Sequence, residues 1–258
     1  MGSLTRATGR RTGLFSSVSP GNREPCDVIS EAAPVLAMEV SQRNGGVALR
    51  CLDGSVVVHR LTSTARGGDA LMPAIEELMQ KADVAPAQLT GIGVSIGPGG
   101  FTGLRIGIAA AKMLSWSLGI PLVAVPSALL AASADREAGT PMAVAVSGKG
   151  ETCWLSLVEG EPGDRRLMSG DAGGQLVDST GFRSMIQHAA CLLADEHLPE
   201  SMADHGLPTR TPDFDPSALL ILTEKHLARG EVVDPLNLTP LYPRLPEAVL
   251  LWDARESG

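Results

Sequence analysis

The chain has 258 residues and a formal net charge of −8, with 44% hydrophobic and 3% aromatic residues. This length suits one large domain or two domains of roughly 100–130 residues each. The acidic balance argues against direct nucleic-acid binding, which usually requires a basic surface. No apolar run reaches the roughly 18–20 residues that a membrane span needs.

Cysteine and histidine spacing gives no sign of a metal or redox site. The four cysteines lack a CxxC pair, and the five histidines lack an HExxH pattern. We therefore expect reduced thiols in a reducing compartment, a cytoplasmic protein, and neither a metal nor a cofactor.

Residues 1–33 differ from the rest of the chain. Arg6, Arg10, Arg11 and Arg23 precede the first acidic residue, Glu24, and the segment lacks the long apolar stretch of a secretory signal. We interpret it as a disordered extension or the product of a misassigned start codon. An organellar transit peptide is the alternative.

The pattern of the next hundred residues predicts a defined order of strands and helices. Asp53-Gly54 between two β-rich runs is a strong hairpin signal, so the first three strands should be antiparallel. A helix with apolar residues at helical spacing should run from about Asp69, which can cap it, to Ala82. The predicted order is a strand at 35–39, β-rich runs at 47–52 and 55–61, that helix, a strand at 91–96, a glycine-rich turn at 97–100, a helix at 101–118 stopped by Gly119, a strand at 122–125 and a short helix opened by Pro126 and Ser127.

The pattern restarts near residue 139. Strands are expected at 142–146 and 152–158, and helices at 179–193 and 216–227. The first half has the element order of a ribonuclease-H-like lobe, and the second half is thinner. The sequence thus predicts a lobe over 34–138, a smaller and degenerate lobe over 139–250, and a tail over 251–258.

The glycine-rich turn feeds directly into the long helix, as Ile96-Gly97-Pro98-Gly99-Gly100-Phe101. Free N–H groups at a helix N-terminus can hold an anion. Neither the Walker nor the Rossmann glycine spacing is present. Phosphate binding is therefore an open alternative.

The helix at 101–118 is apolar around most of its circumference. Arg105 and Lys112 share a narrow polar stripe, whereas an ordinary surface helix buries an apolar stripe of only roughly 100°. The helix therefore needs cover on two sides, and Gly103, Gly107 and Ala111 would let another backbone approach closely. The second cover is either the other half of this chain or a partner subunit. Gly107→Arg and Ile108→Glu are the substitutions suggested for separating partner binding from folding.

At this point a family resemblance is evident. The run GPGGFTGLRIG at 97–107, the following AAAKMLSWSLGIPLVAVPS, and the ending PLYPRLPEA at 240–248 closely resemble the TsaB family. The resemblance spans about residues 34–248 and is strongest at 91–127.

The resemblance implies a fold, a partner and a surface. The fold is α/β, with two ribonuclease-H-like lobes of the actin-like and sugar-kinase-like type. The partner is the catalytic subunit TsaD, joined by the ATPase TsaE. Together they move a threonylcarbamoyl group from its adenylate to the adenosine beside the tRNA anticodon, and this subunit meets tRNA only indirectly. The implied dimerisation surface comprises Phe101, Thr102, Gly103, Leu104, Arg105, Ile106, Gly107, Ile108, Ala109 and Lys112, and more loosely Leu71, Met72 and Ile75. A homodimer through the same helices is an alternative.

Three departures from the family pattern bear on catalysis. Glu39-Val40-Ser41 replaces Asp-Thr-Ser, Ser147-Gly148-Lys149 replaces Asp-Ala-Arg, and Arg66-Gly67-Gly68-Asp69 replaces a stretch with a His-Ser pair. An ATPase of this fold needs an acidic residue in each lobe to hold Mg²⁺. Glu39 is either the first of these or a solvated strand end, and Ser147 carries no charge. We therefore expect a non-catalytic subunit; an active ATPase or a glycoprotease-like peptidase is the alternative.

Overall fold

The computed structural model describes residues 33–61, 70–136, 139–168 and 173–243. The predictions for residues 1–32, for Asp69 as a helix cap and for the ending at 244–248 lie outside these ranges. The described part of the chain is a mixed α/β structure with two β-sheets. None of its helices combines the length and the apolar character needed to cross a membrane.

The first sheet has the strand order β3-β2-β1-β4-β5. β1, β2 and β3 are antiparallel, and β4 and β5 run parallel to β1. The predicted hairpin at Asp53-Gly54 is confirmed: the Cys51 amide donates to the Ser55 carbonyl, and Gly54 has a φ of +81°. The strands are β1 (Val35–Glu39), β2 (Gly46–Arg50), β3 (Val56–Arg60), β4 (Gly91–Gly97) and β5 (Leu122–Pro126).

Helices α1 (Leu71–Lys81) and α2 (Phe101–Leu118) cover one face of this sheet. Their apolar residues share one core with Leu36, Met38 and Ile92 of the strands. α2 ends as predicted at Gly119, whose φ of +65° places it in the left-handed region that glycine adopts without strain.

The other face of the first sheet packs against α3 (Ser127–Ala134) and α5 (Pro216–Ala228). α5 comes from the second half of the chain, yet it contacts β1, β2, β4 and β5. Glycine permits this approach, since a Cβ at Gly93 would collide with the Thr223 side chain. Arg50 on β2 also forms an ion pair with Glu224 at 2.6 Å. The core of the first sheet is therefore completed by a late segment of sequence.

The second sheet has the order β11-β10-β6-β7-β8, with β9 also paired to β7. One of its faces packs on α3 and α5, so these helices lie between the two sheets. Its other face packs on α4 (Ser179–Ile186). The strands are β6 (Met142–Ser147), β7 (Cys153–Glu159), β8 (Arg166–Leu167), β9 (Gln175–Val177), β10 (Cys191–Ala194) and β11 (Thr209–Arg210).

The prediction of one helix over 179–193 is wrong in its second half. α4 begins as expected, with the Asp178 carboxylate accepting from the Gly181 amide at 2.9 Å. The helix ends at Ile186, and Cys191–Ala194 forms β10, parallel to β6. A short apolar run that is buried on both sides cannot be assigned to helix or strand by periodicity alone. Pairing with β6 decides the outcome.

Candidate partner interface

The N-terminal part of α2 lies directly on the end of β1. A Cβ at Gly103 would collide with the Val40 carbonyl, and one at Gly107 would collide with the Val40 side chain. The Gly100 amide donates to the Ser41 carbonyl at 2.7 Å. The close backbone approach predicted from the glycine spacing is therefore real, but Val40 and Ser41, which directly follow β1, make it. The expectation that a second polypeptide or the second half of the chain would fill this groove is wrong.

The side of α2 that faces the sheet is fully enclosed by the chain itself. Leu104 and Ala111 are 0% exposed and Ile108 is 3% exposed. Arginine at 107 or glutamate at 108 would put a charge into this core, which costs several kcal/mol unless the charge is paired. Gly107→Arg and Ile108→Glu would therefore disturb folding, so they cannot isolate partner binding.

The opposite side of α2 is open to solvent. We call it the exposed α2 face, and its most C-terminal members are Met113, which is 51% exposed, and Trp116, which is 77% exposed. A large, exposed tryptophan among apolar neighbours is typical of an interaction site. The exposed α2 face comprises Phe101, Thr102, Arg105, Ala109, Met113 and Trp116.

The predicted surface residues divide between this face and the interior. Phe101, Thr102, Arg105 and Ala109 are exposed on α2, as is Met72 on α1. The partly buried members are Gly103, Ile106 and Lys112, and the buried members are Leu71, Ile75, Leu104, Gly107 and Ile108. The buried members can support the surface from beneath but cannot touch a partner in this conformation.

Sequence reasoning missed Met113 and Trp116. The signal was available, because Ala109, Met113 and Trp116 follow one another at i, i+4 and i+7 along one side of α2. These residues continue the apolar surface toward the C-terminal end of the helix.

A groove of about 980 Å³ extends this surface toward α1. Met72 of α1 and Leu52 beside the hairpin are 41% and 48% exposed, and both line the groove together with Leu114 of α2. The apolar surface therefore runs from α2 across to α1.

A C-terminal segment of the same chain covers part of α2. We call residues 233–242 the strap. Its Val233 amide donates to the Leu122 carbonyl at 2.9 Å, and its Leu241 amide donates to the Ile96 carbonyl at 2.7 Å. Lys112 donates to the carbonyl of Leu238 at 3.0 Å. The predicted second cover is thus supplied in part by the chain itself, along the polar stripe, while the exposed α2 face is left open.

Arg105 lies where the strap meets the exposed α2 face. Its guanidinium carbon is 3.7 Å from the centroid of the Phe101 ring. Its Nε donates to the Tyr242 hydroxyl at 2.8 Å, and the Phe101 and Tyr242 ring centroids are 5.2 Å apart. The three side chains form one cluster that fixes the direction of the guanidinium.

Glu39 does not lie at a solvated strand end, contrary to that interpretation. It is 0% exposed, and its Oε1 accepts from the amide and the hydroxyl of Ser41 at 2.7 and 2.5 Å. Burial raises the pKa of its carboxyl group, and its Oε2 is buried without a hydrogen-bond partner. An enclosed acid that favours its protonated form is a poor ligand for a hydrated magnesium ion.

The second sheet offers a carboxylate that sequence reasoning missed. Ser147 donates to Oδ1 of Asp195 at 3.1 Å, because Asp195 follows β10 and β10 pairs with β6. Among the described residues, no group of three or more histidine, cysteine, aspartate or glutamate side chains is placed to hold a metal ion.

The family model of TsaD, tRNA N6-adenosine threonylcarbamoyltransferase, matches residues 66–181. The transferase of Streptococcus suis is 28% identical over 196 residues, and the match spans 67% of this chain but only 58% of that protein. The solved structure of YeaZ from Pseudomonas aeruginosa superposes with a TM-score of 0.62 at 24% identity, over 81% of this chain and 99% of that one, which shows a shared fold.

The tRNA threonylcarbamoyladenosine biosynthesis protein TsaB of Bacillus subtilis matches along nearly its whole length. It is 30% identical to this chain over 228 residues, which cover 84% of this chain and 97% of that protein. Identity at this level across almost the full relative indicates common descent rather than a shared local motif. The chain therefore belongs to the TsaB family of tRNA threonylcarbamoyladenosine biosynthesis proteins.

Proposed function

We propose that this chain is a non-catalytic subunit of the complex that makes threonylcarbamoyladenosine in tRNA, and that it binds a TsaD-type catalytic subunit through the exposed α2 face. Membership of the TsaB family supports the pathway. The exposure of Trp116 and Met113 is the observation that carries the docking surface. Exposed apolar area stabilises an association by about 25 cal/mol per Å² that it removes from water.

Similarity between this chain and the proposed partner supports the mode of pairing. The TsaD family model covers residues 66–181, a range that includes all of α2. A partner with a related helix pair can dock so that equivalent surfaces face each other, as in the two-fold interfaces of homodimers. We therefore expect α1 and α2 to meet the corresponding helices of the catalytic subunit.

The division of labour in the complex follows from charge and from the acidic residues. A chain with a net charge of −8 is a poor platform for tRNA, so the catalytic subunit would supply the RNA contacts. It would also transfer the threonylcarbamoyl group from its adenylate to the adenosine beside the anticodon. A TsaE-type ATPase would join the larger assembly. The burial of Glu39 favours a non-catalytic role for this chain over ATP turnover.

The architecture that accompanies this function is a pair of ribonuclease-H-like lobes of the actin-like and sugar-kinase-like type. The mixed first sheet, with its antiparallel β1–β3 and parallel β4 and β5, supports this reading for the first lobe. We propose lobes over 34–138 and 139–250, an extension over 1–33, a tail over 251–258, and a cytoplasmic location.

Reconstitution tests the proposal. The full chain, mixed with the TsaD-type subunit and the TsaE-type ATPase of the same organism, is expected to elute as a complex by size exclusion. Threonylcarbamoyl transfer to tRNA is expected to depend on this chain, which alone should neither hydrolyse ATP nor modify tRNA. Robust ATP turnover by the chain alone with Mg²⁺, or transfer at the full rate without it, would refute the non-catalytic role. A homodimer that excludes the catalytic subunit would refute the pairing.

A further inference from the structure

Arg105 presents an oriented set of hydrogen-bond donors at the edge of the exposed α2 face. The Phe101 ring packs against one side of the guanidinium at 3.7 Å, and Nε donates to the Tyr242 hydroxyl at 2.8 Å. These two contacts fix the plane and the direction of the group. Within the described ranges, the terminal nitrogens of Arg105 have no hydrogen-bond acceptor in this chain.

The neighbouring cation is directed elsewhere. Lys112 lies two turns along the same stripe, but its Nζ donates to the strap carbonyls of Leu236 at 3.4 Å and Leu238 at 3.0 Å. Lys112 therefore holds the strap, whereas Arg105 is held by the strap and points its remaining donors outward. The strap itself is fixed by the hydrogen bond from Leu241 to Ile96.

We propose that Arg105 binds a carboxylate of the catalytic subunit at this interface, and that Tyr242 is a positioning residue that keeps the guanidinium in place for it. This inference rests on the proposed function. The planar guanidinium presents two parallel N–H donors, which match the two oxygens of an aspartate or glutamate. Restraint before binding reduces the side-chain entropy lost when the pair forms.

The surroundings favour a protein carboxylate over an RNA phosphate. Phe101, Met113 and Trp116 accompany Arg105 on the exposed α2 face, and aromatic residues, methionine and arginine are the types enriched at protein–protein interfaces. Binding to an RNA backbone instead relies on several cations acting together, which this acidic chain lacks as a whole.

A mutant cycle within this chain tests both parts. Arg105→Gln, Tyr242→Phe and the double variant, each in the full chain, are titrated against the TsaD-type subunit by calorimetry. Arg105→Gln is expected to weaken binding about 30-fold and Tyr242→Phe several-fold. Because Tyr242 acts through Arg105, the double variant should bind no more weakly than Arg105→Gln. Arg229→Gln, which removes one positive charge from the end of α5, is the matched control and should bind like wild type.

The outcomes separate this inference from the proposed function. If the wild type binds the TsaD-type subunit and the Arg105→Gln variant binds it with the same affinity, the carboxylate contact is overturned while the pairing stands. An additive loss in the double variant would overturn the positioning role of Tyr242. If Arg105→Gln leaves binding to the TsaD-type subunit unchanged but weakens retention of tRNA, Arg105 binds phosphate and the proposal is overturned. The proposal is also overturned if the variant weakens only the self-association of this chain. If wild type fails to bind the catalytic subunit, the proposed function itself fails.

Discussion

Replacing Trp116 with alanine should weaken the complex. A tryptophan side chain buries roughly 150–250 Å² when it is enclosed, and Trp116 is 77% exposed in the free chain. About 150 Å² thus remains to be covered, which is worth about 4 kcal/mol at about 25 cal/mol per Å². If a partner covers half of this area, the loss is about 2 kcal/mol, or about 30-fold in Kd.

The assay is a titration of the full chain with the TsaD-type subunit, followed by calorimetry or fluorescence. Trp116→Ala should raise Kd by about 30-fold without lowering the midpoint of thermal unfolding, because the side chain makes few contacts within the free chain. Ile221→Ala on α5 is the matched control, since Ile221 is also an exposed apolar residue, at 43%, and lies away from α2. An unchanged Kd for Trp116→Ala would refute the assignment of the exposed α2 face as the docking surface. A large loss of thermal stability in Trp116→Ala would show that the Trp116 side chain stabilises the fold of this chain.

Three further predictions concern the parts that support this face. Gly107→Ala should lower the free energy of unfolding, as measured by chemical denaturation, by about 1–3 kcal/mol, because the new methyl group collides with Val40. Gly139→Ala is the control and should have little effect, because the atom nearest to its new methyl group is 3.4 Å away. Leu238→Ala should cost about 2–3 kcal/mol by the same assay, since Leu238 is 7% exposed and anchors the strap; an unchanged stability would show that the strap is not packed. Glu39→Gln should become increasingly stable relative to wild type as pH rises above about 4.5, because burial raises the pKa of the Glu39 carboxyl from that ordinary value. The stability that the protonated acid contributes is fully present below its unfolded pKa and is lost as pH rises through the folded pKa. Denaturation at several pH values, with exposed Glu161→Gln as control, tests this, and a pH-independent difference between wild type and Glu39→Gln would contradict it.

Local signals in the sequence predicted the first sheet and α2 well. The Asp53-Gly54 turn identifies its hairpin without reference to the rest of the chain, because glycine there adopts a positive φ. Gly119 ends α2 for the same reason. The backbone conformation at such positions depends on only a few neighbouring residues, so it can be predicted from the sequence.

Features decided by distant parts of the chain were not predictable in this way. Residues 191–194 form a strand rather than a helix because β6 lies beside them. Glu39 is buried at the end of β1, where α2 and the glycine turn pack on the next two residues. No pattern near position 39 distinguishes a buried acid from a solvated one.

The candidate interface shows both cases. Helical periodicity correctly indicates that α2 has more apolar surface than one sheet can cover. It does not reveal that the strap, more than 120 residues away in sequence, covers the stripe containing Lys112. Periodicity also cannot tell that Ile108 is buried and Trp116 is exposed, because that difference depends on which side of α2 packs against the first sheet.

Site-specific photo-crosslinking measures most directly whether a partner lies on the exposed α2 face. A photoreactive phenylalanine analogue is placed at Met113, which is 51% exposed, and in a second protein at Val58, which is 38% exposed on β3. With the TsaD-type subunit present, irradiation is expected to give a covalent heterodimer from position 113 and none from position 58. A complex that forms fully but crosslinks only from position 58 would contradict the proposed docking surface.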